Sequence, residues 1–405
     1  MSRSATTIEI DRPPVIRSGP LRWLKENLFS TWYNTLLTVG SLAIALLLAV
    51  LFGHWALTEA HWAVIPANLK LLFVGTYPLD QLWRIWATLY MVALFLGFSG
   101  GLHRGLILQI ALMVAAATVL LALLPFAWAT RLWILATALS TLVGFGLGRL
   151  TRQSRTSRWL EISLWLLSFP LTLVLLKGGL FLPVVGEAHN VGGWNKWGFM
   201  LNLLGAVVGI TLSLPIGILL ALGRRSSLPA VRLVSTLYIE LIRGVPLITL
   251  LFMASNMLPL LVPTTFRPDI VIRAMMTITA FSAAYMAENV RGGLQAIPQG
   301  QFEAAYAVGL GRMLTTLLIV LPQALRAVIP AIVGQLISLF KDTTLFGFIA
   351  ILELLGMVDS VLGNLQWRGT IFELYIFIGF IFWIFCYSLS YISRRIEKNL
   401  GVGER

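Results

Sequence analysis

Ten apolar stretches, most of them about as long as a bilayer is thick, dominate this sequence. A hydrocarbon core of about 30 Å requires about 20 apolar residues in a helix. The stretches are 31–57, 85–101, 105–127, 131–148, 159–182, 198–222, 233–258, 270–290, 323–349 and 371–392. The shortest are 85–101 and 131–148. The sequence therefore predicts an all-α integral membrane protein with about ten transmembrane helices.

The charge content excludes a soluble enzyme. Charged residues make up 12% of the 405 residues, about half the 25% that is typical of soluble domains. The net charge of +13 falls in short clusters between the apolar stretches, which indicates membrane topology rather than a nucleic-acid-binding surface.

The distribution of lysine and arginine predicts the orientation. Residues 1–30 are basic and lack the apolar region of a signal peptide, so we expect a retained cytosolic tail. Ten crossings place the C-terminal tail, 393–405, on the same side. About two thirds of the lysines and arginines fall in the segments predicted to be cytoplasmic. We expect a bacterial inner-membrane protein with both termini in the cytoplasm.

The composition changes at 187–197, a loop that we place outside the cell. The five helices in 31–186 carry few polar residues in their interiors and are predicted to be accessory. The five helices in 198–392 are rich in proline, glycine and embedded polar groups. Between two of them, segment 291–322 is too polar to span a bilayer and is predicted to lie on the cytosolic face.

No catalytic constellation is visible in the sequence. It contains no HExxH motif and no Walker A motif. A single cysteine, Cys386, and four scattered histidines (His54, His61, His103 and His189) do not form a metal-ligand pattern. We therefore expect no enzymatic activity, metal site or bound cofactor, and energy supplied by a partner or an ion gradient.

Segment 291–322 carries the most informative motif. Its fixed positions are Glu303, Ala304, Ala305, Gly309, Ile319, Leu321 and Pro322. The glutamate and alanines favour a helix, the glycine permits a turn, and a second short helix is expected to end before the proline. On composition alone, a merely structural interfacial loop is the alternative.

The full pattern resembles the coupling-loop motif of permease subunits in binding-protein-dependent ABC importers. Further segments are similar to the polar amino-acid permeases from about residue 198 to the C-terminus: ALGRRS at 221–226, YIELIRGVPL at 238–247, YMAE at 285–288, RGG at 291–293 and FKDTTL at 340–345. With its additional N-terminal helices, the whole chain resembles the longer permease subunit of general L-amino-acid importers.

This resemblance implies a division of labour. It implies a five-helix core that pairs with a homologous permease, most simply as a heterodimer, and a coupling loop that fits a cytosolic ATP-binding subunit dimer. A periplasmic amino-acid-binding protein would deliver the substrate. ATP and Mg would be used by the partner ATPase, which would drive alternating access.

Arg243 is the first candidate for the substrate path. A charged side chain inside a bilayer is costly and is expected to face a cavity or a partner. Neighbouring Gly244 and Pro246 permit a local break in the helix. The guanidinium could bind an amino acid's α-carboxylate, or it could form an ion pair with Glu240 that serves only the fold.

Other embedded polar residues are weaker candidates. Gln335 could contact the substrate or hydrogen-bond a neighbouring helix. Relatives that import basic amino acids look to carry an acidic residue at the aligned position, so the resemblance implies that cationic side chains are not selected. Similar candidates are Ser255, Asn256, Ser282 and Tyr285.

Three further charged residues are assigned structural or gating roles. Lys341 and Asp342 are adjacent and point about 100° apart, so each is expected to meet a different partner. Glu288 is expected to pair with Arg291 one turn later.

Two other functions remain open from the residues. An ion-coupled secondary amino-acid transporter explains the helices and embedded charges but gives segment 303–322 no role. A purely structural membrane anchor explains the helices alone. The sequence does not specify which amino acids are carried.

Overall fold

The computed structural model describes residues 19–103, 105–124, 126–179, 182–185, 193–263 and 267–400. The predicted tail up to residue 18, residues 187–192 of the predicted loop and residues 401–405 lie outside this range. The described residues confirm the predicted all-α class: they form helices and no β-strand. The first seven helices are α1 (Pro20–Asn27), α2 (Trp32–Thr58), α3 (Val64–Val74), α4 (Leu82–Leu102), α5 (Leu106–Ala122), α6 (Trp128–Thr151) and α7 (Arg155–Lys177).

The second half contains eleven more helices, several of them a single turn. They are α8 (Phe199–Arg224), α9 (Pro229–Gly244), α10 (Leu247–Phe252), α11 (Leu258–Leu261), α12 (Ile270–Gln295), α13 (Gln299–Ala307), α14 (Arg312–Leu314), α15 (Leu321–Ala327), α16 (Ile329–Asp342), α17 (Gly356–Leu362) and α18 (Ile371–Leu400). Two π-helical turns, Met253–Met257 and Thr315–Val320, join α10 to α11 and α14 to α15.

Eight helices in the described part are long and apolar enough to cross a membrane, and they coincide with eight of the ten predicted stretches. The other two stretches differ from the prediction. Stretch 105–127 contains α5, which has only 17 residues. Stretch 233–258 is not one helix, because α9 and the segment Leu247–Leu261 meet at an angle of 104°.

The bend lies where the sequence permitted a break. Val245, which follows the last residue of α9, is extended, because the residue before a proline is disfavoured in the helical region. Pro246 then precedes α10. Gly244 is exposed and has open space where a Cβ would lie.

The described part of the chain divides into two compact units, one that ends at Trp62 and one that begins at Ala63. In the first unit, the side chain of Thr31 caps α2 by accepting a hydrogen bond from the main-chain nitrogen of Asn34 at 3.4 Å. No residue of α2 is buried. Its apolar side chains are therefore available to lipid or to another polypeptide.

In the second unit, α3 is an element that the sequence did not predict. It has only 11 residues, too few to span a bilayer. Val64 and Leu72 are nevertheless fully buried, and α3 packs against α8, α17 and α18. A short apolar helix thus completes the core of the second half of the chain.

Helices α4 and α6 pack through glycines. Gly97 and Gly101 on α4 face Gly144 and Gly148 on α6, and a Cβ at any of the four would overlap a main-chain carbonyl oxygen of the opposite helix. Small residues let helix backbones approach closely in membranes, where van der Waals packing drives association. Close backbone contact therefore organises α4–α7.

Aromatic rings fill the core of the second half. The ring of Phe199 at the start of α8 lies 5.1 Å from that of Phe385 on α18. The ring of Phe340 on α16 lies 5.1 Å from that of Phe382 on α18. Edge-to-face and tilted aromatic pairs of this kind stabilise packing beyond their buried area. These contacts hold α8, α16 and α18 together.

A buried polar network fixes the loop that follows α16. Asn202 on α8 donates to Thr343 at 3.0 Å and to the carboxyl of Glu353 at 2.8 Å, and all three residues are fully buried. The main-chain nitrogens of Leu355 and Gly356 also donate to Glu353. Burial raises the pKa of the Glu353 carboxyl to about 7 in spite of these donors.

We expect Gly97→Ala to destabilise the α4–α6 contact. The added methyl group forces the helices apart, which costs roughly 1–3 kcal/mol in a well-packed interior. Gly146→Ala on α6 is the control, because a Cβ there meets open space and alanine favours a helix. Thermal unfolding of the purified protein in detergent measures both variants. Equal unfolding temperatures would contradict the prediction.

Candidate functional site

The motif segment forms a helix, a turn and a second helix. Glu303, Ala304 and Ala305 lie in α13, as predicted. Gly309 follows with φ of +83°, a left-handed conformation that glycine adopts without steric cost. The main-chain nitrogen of Gly309 donates to the carbonyl of Tyr306 at 2.9 Å. The glycine therefore allows the chain to leave α13 and enter α14.

The prediction that the second helix ends before Pro322 is wrong. The chain stays helical from α14 through the π-helical turn and α15, and ends this run at Ala327. Pro322 is the second residue of α15 and directly follows the π-helical turn. Ile319 lies in the π-helical turn, and Leu321 is the first residue of α15.

An apolar cluster anchors this segment to three long helices. Val320 and Ala324 are fully buried with Ala287 of α12 and Ile239 of α9, and Phe302 of α13 packs against the same cluster. A Cβ on Gly293 of α12 would lie 2.6 Å from the Ala324 carbonyl oxygen. Helices α13 and α15 are also joined, because the Gln323 side chain donates a hydrogen bond to the Gln301 side chain at 3.1 Å. The segment is therefore attached to the ends of α9 and α12.

The motif segment also exposes apolar side chains. Its exposed members, with their exposed fractions, are Tyr306 (47%), Val308 (76%), Met313 (74%) and Leu318 (61%). Glu303 and Ala304 are exposed beside them, whereas Ala305 is 4% exposed. We call this surface the docking face. Exposed apolar patches of this kind mark sites of protein contact.

Five charged residues form a cluster where α8, α9 and α12 meet. Glu288 of α12 accepts hydrogen bonds from Arg224 of α8 at 2.6 Å and from Arg291 at 2.6 and 2.8 Å. Arg243 of α9 lies 3.7 Å from the same carboxylate. Glu240 pairs with Arg224 at 2.9 Å. The charge cluster thus contains three guanidinium and two carboxylate groups.

The cluster contains one predicted pair and lacks a pair that the sequence offered as an alternative. Glu288 and Arg291 pair as expected. Arg243 does not pair with Glu240 within 4.0 Å in the described part of the chain; each contacts a different residue of the cluster. Arg243 lies in the last turn of α9 rather than in the middle of a longer helix. Its guanidinium also lies 5.4 Å from the centre of the Tyr285 ring, a cation–π contact.

Arg224 belongs to the segment ALGRRS at 221–226, but the sequence alone did not indicate its role. It is the last residue of α8 and bonds both carboxylates of the cluster. Adjacent arginines after a long apolar helix were the available signal.

The candidate serines have unpaired hydroxyl groups. Ser255 lies in the π-helical turn and is 6% exposed, and Ser282 of α12 is 1% exposed. Neither hydroxyl oxygen has a hydrogen-bond partner among the described residues. Arg273 of α12 donates to the main-chain oxygens of Ala254 and Ser255. Buried unpaired polar groups cost about 1–3 kcal/mol each, so they indicate positions where a ligand or water is accommodated.

The remaining candidates lie apart from the charge cluster. Asn256 is exposed in the π-helical turn, and Gln335 is half-buried in α16. Lys341 and Asp342 end α16. Neither of them forms an ion pair with a described residue within 4.0 Å. That each of them meets a different partner therefore stays a prediction.

Comparisons with known proteins give concordant results. Residues 213–402 match the model of the family described as binding-protein-dependent transport system inner membrane component. The chain is 36% identical to the inner membrane amino-acid ABC transporter permease protein YhdY of Escherichia coli (strain K12), over 95% of this chain and 94% of that protein.

Two further relatives differ in length. The glutamate/glutamine/aspartate/asparagine transport system permease protein BztC of Rhodobacter capsulatus is 38% identical, over 96% of this chain and 95% of its own. The probable glutamine ABC transporter permease protein GlnP of Bacillus subtilis (strain 168) is 32% identical, over 54% of this chain and 97% of its own.

We expect Glu288→Gln to destabilise the protein more than Glu240→Gln. The first change leaves three guanidinium groups without their shared carboxylate and is expected to cost roughly 2 kcal/mol. The second removes one exposed pair, worth less than about 1 kcal/mol. Thermal unfolding in detergent at low salt compares the two variants. Similar losses would show that Glu288 is not the centre of the cluster.

Proposed function

The chain belongs to the amino-acid ABC transporter permeases of the binding-protein-dependent transport family, and from this premise we propose how it works. It is a multi-pass inner-membrane permease subunit that translocates L-amino acids. A cytosolic ATPase engages the docking face and supplies the energy. We propose that the chain itself holds no ATP, Mg or other cofactor and catalyses no reaction.

The observation that carries this proposal is the two-sided construction of the motif segment. One side, with Phe302, Val320 and Ala324, packs against α9 and α12. The other side exposes apolar residues around Glu303. A partner that pulls on the docking face would therefore load the membrane helices directly. An independent secondary carrier would have no use for such a surface.

The charge cluster extends this connection to α8. Arg224, Glu240 and Glu288 join the ends of three helices, and the apolar cluster that anchors the motif segment involves the same helices. Movement of the docking face is thus transmitted to α8, α9 and α12 together. This coupling supports ATP-driven alternating access, in which helix groups move as rigid bodies.

Further partners follow from the family. We propose a second, homologous permease in the membrane and a periplasmic amino-acid-binding protein at the outer face. The docking face and both chain termini are then cytoplasmic, as the distribution of lysine and arginine predicts.

For the substrate, we propose polar amino acids of the kind in the name of BztC: glutamate, glutamine, aspartate and asparagine. The unpaired hydroxyls of Ser255 and Ser282 offer neutral polar contacts, and Gln335 offers a neutral amide. Of the three arginines around Glu288, Arg243 lies farthest from its carboxylate, at 3.7 Å. It could bind the substrate's α-carboxylate in an alternative conformation.

We expect Gly309→Val to abolish most ATP-dependent uptake while the protein still inserts. Valine strains the left-handed backbone at this position by about 1–2 kcal/mol and misplaces the docking face. Gly311→Val is the matched control, because Gly311 has φ of −68° and open space at its Cβ position. Uptake by vesicles containing the assembled transporter is measured for both.

Two results would contradict the coupling proposal. One is normal ATP-dependent uptake by Gly309→Val. The other is accumulation of amino acids, driven by an ion gradient, in vesicles that contain this chain without an ATPase.

We expect Ser282→Ala to raise the KM for the carried amino acids roughly tenfold, because one hydrogen bond to the substrate is lost. Removing an unpaired hydroxyl does not destabilise the fold, so the unfolding temperature should stay equal or rise. Ser140→Ala, in α6, is the control. If the KM stays unchanged for glutamate, glutamine, aspartate and asparagine, Ser282 does not contact the substrate.

A further inference from the structure

A basic cavity lies between the ends of α4, α6 and α7, away from the charge cluster and the motif segment. It has a volume of about 420 Å³ and is lined by Leu102, His103, Arg152 and Arg158. This volume is within the range of small-molecule sites, about 300–1,000 Å³. We call it the basic cavity.

The two arginines of the basic cavity are not neutralised by the protein. Arg152 and Arg158 are exposed and form no hydrogen bond or ion pair with any residue that the structure describes. In the charge cluster, by contrast, each arginine lies within 4.0 Å of a carboxylate. One acid lies nearby, since Glu161 is 3.5 Å from the His103 ring. The basic cavity therefore carries an excess of positive charge, which suits an anionic ligand.

The position of the cavity points to the level of lipid headgroups. Arg152 directly follows α6, and Arg158 lies in the first turn of α7; both helices are membrane-spanning by length and composition. Trp159, next to Arg158, is 65% exposed, as expected for the aromatic belt at the membrane interface.

The apolar residues beside the cavity distinguish a lipid from a free anion. Leu150, two residues before Arg152, is 84% exposed, and Leu160, two residues after Arg158, is 48% exposed. Acyl chains can cover such residues while a phosphate remains between the arginines. A free phosphate would leave this apolar surface exposed.

The cavity lies at the predicted cytoplasmic side of the membrane, which is consistent with an anionic lipid. Gln109, near the start of α5, accepts a hydrogen bond from Arg395, near the end of α18, at 3.2 Å. The end of α4, where His103 lies, therefore faces the same side as the C-terminal end of α18, which is predicted to be cytoplasmic. Anionic lipids attract basic residues at that surface.

We propose that the basic cavity binds the phosphodiester headgroup of an anionic glycerophospholipid. Arg152 and Arg158 bind the phosphate oxygens, and exposed leucines of α6 and α7 contact the acyl chains. Guanidinium groups suit this ligand because they pair with phosphate through two parallel hydrogen bonds.

Native mass spectrometry of the full chain in detergent tests the proposal. Phosphatidylglycerol, phosphatidylcholine and inorganic phosphate are titrated separately. We expect phosphatidylglycerol to bind at least about tenfold more tightly than phosphatidylcholine, and Arg158→Gln to remove most of that preference. Arg149→Gln is the matched control, because Arg149 is exposed at the same end of α6 but does not line the cavity.

Three outcomes would overturn the proposal. They are equal binding of the two lipids, equal losses in Arg158→Gln and Arg149→Gln, and displacement of the lipid by millimolar inorganic phosphate. If Arg158→Gln does not fold, Arg158→Lys replaces it; this variant keeps the charge and is expected to bind phosphatidylglycerol a few-fold more weakly. Binding as tight as in the unmodified chain would then contradict a two-point arginine contact.

Discussion

The interior of a bilayer provides no hydrogen bonds, and this constraint determines most of the architecture. Every main-chain N–H and C=O group in that region must be satisfied within the protein. The chain meets the requirement with long helices. Three departures from regular α-helix, the bend after Gly244 and the π-helical turns at Met253–Met257 and Thr315–Val320, fall in the half that carries the candidate site. Irregular backbone and the candidate site therefore share one half of the chain.

The sequence predicted the membrane helices and the motif segment well, because length, apolarity and motif spacing are local properties. It missed α3, whose 11 residues are apolar but too few for a span, so that only tertiary packing reveals their role. It placed a helix end before Pro322, because nothing local indicated the π-helical turn that precedes the proline. It left open a pair between Arg243 and Glu240 from their spacing alone, whereas Glu240 pairs with Arg224 from a different helix.

The two halves of the chain are held together by different forces. In α4–α7, contact between backbones at glycines is the main feature, although Arg84 of α4 is buried and donates to the Pro183 carbonyl at 3.0 Å. In the second half, aromatic packing, the Asn202–Glu353 network and the charge cluster dominate. Charged and polar contacts can exchange partners during a conformational change, whereas glycine contacts cannot. This contrast suits a moving core beside a rigid neighbouring bundle.

The glycine contacts have an evolutionary consequence. Most packed positions tolerate a larger side chain when a neighbour becomes smaller, because the two volumes compensate. Gly97 and Gly144 meet main-chain oxygens of the opposite helix rather than side chains, and no substitution shrinks a carbonyl group. A larger side chain at these positions therefore cannot be compensated by a smaller side chain on the opposite helix. In a deep mutational scan, α4 and α6 should carry isolated intolerant positions among freely exchangeable leucines.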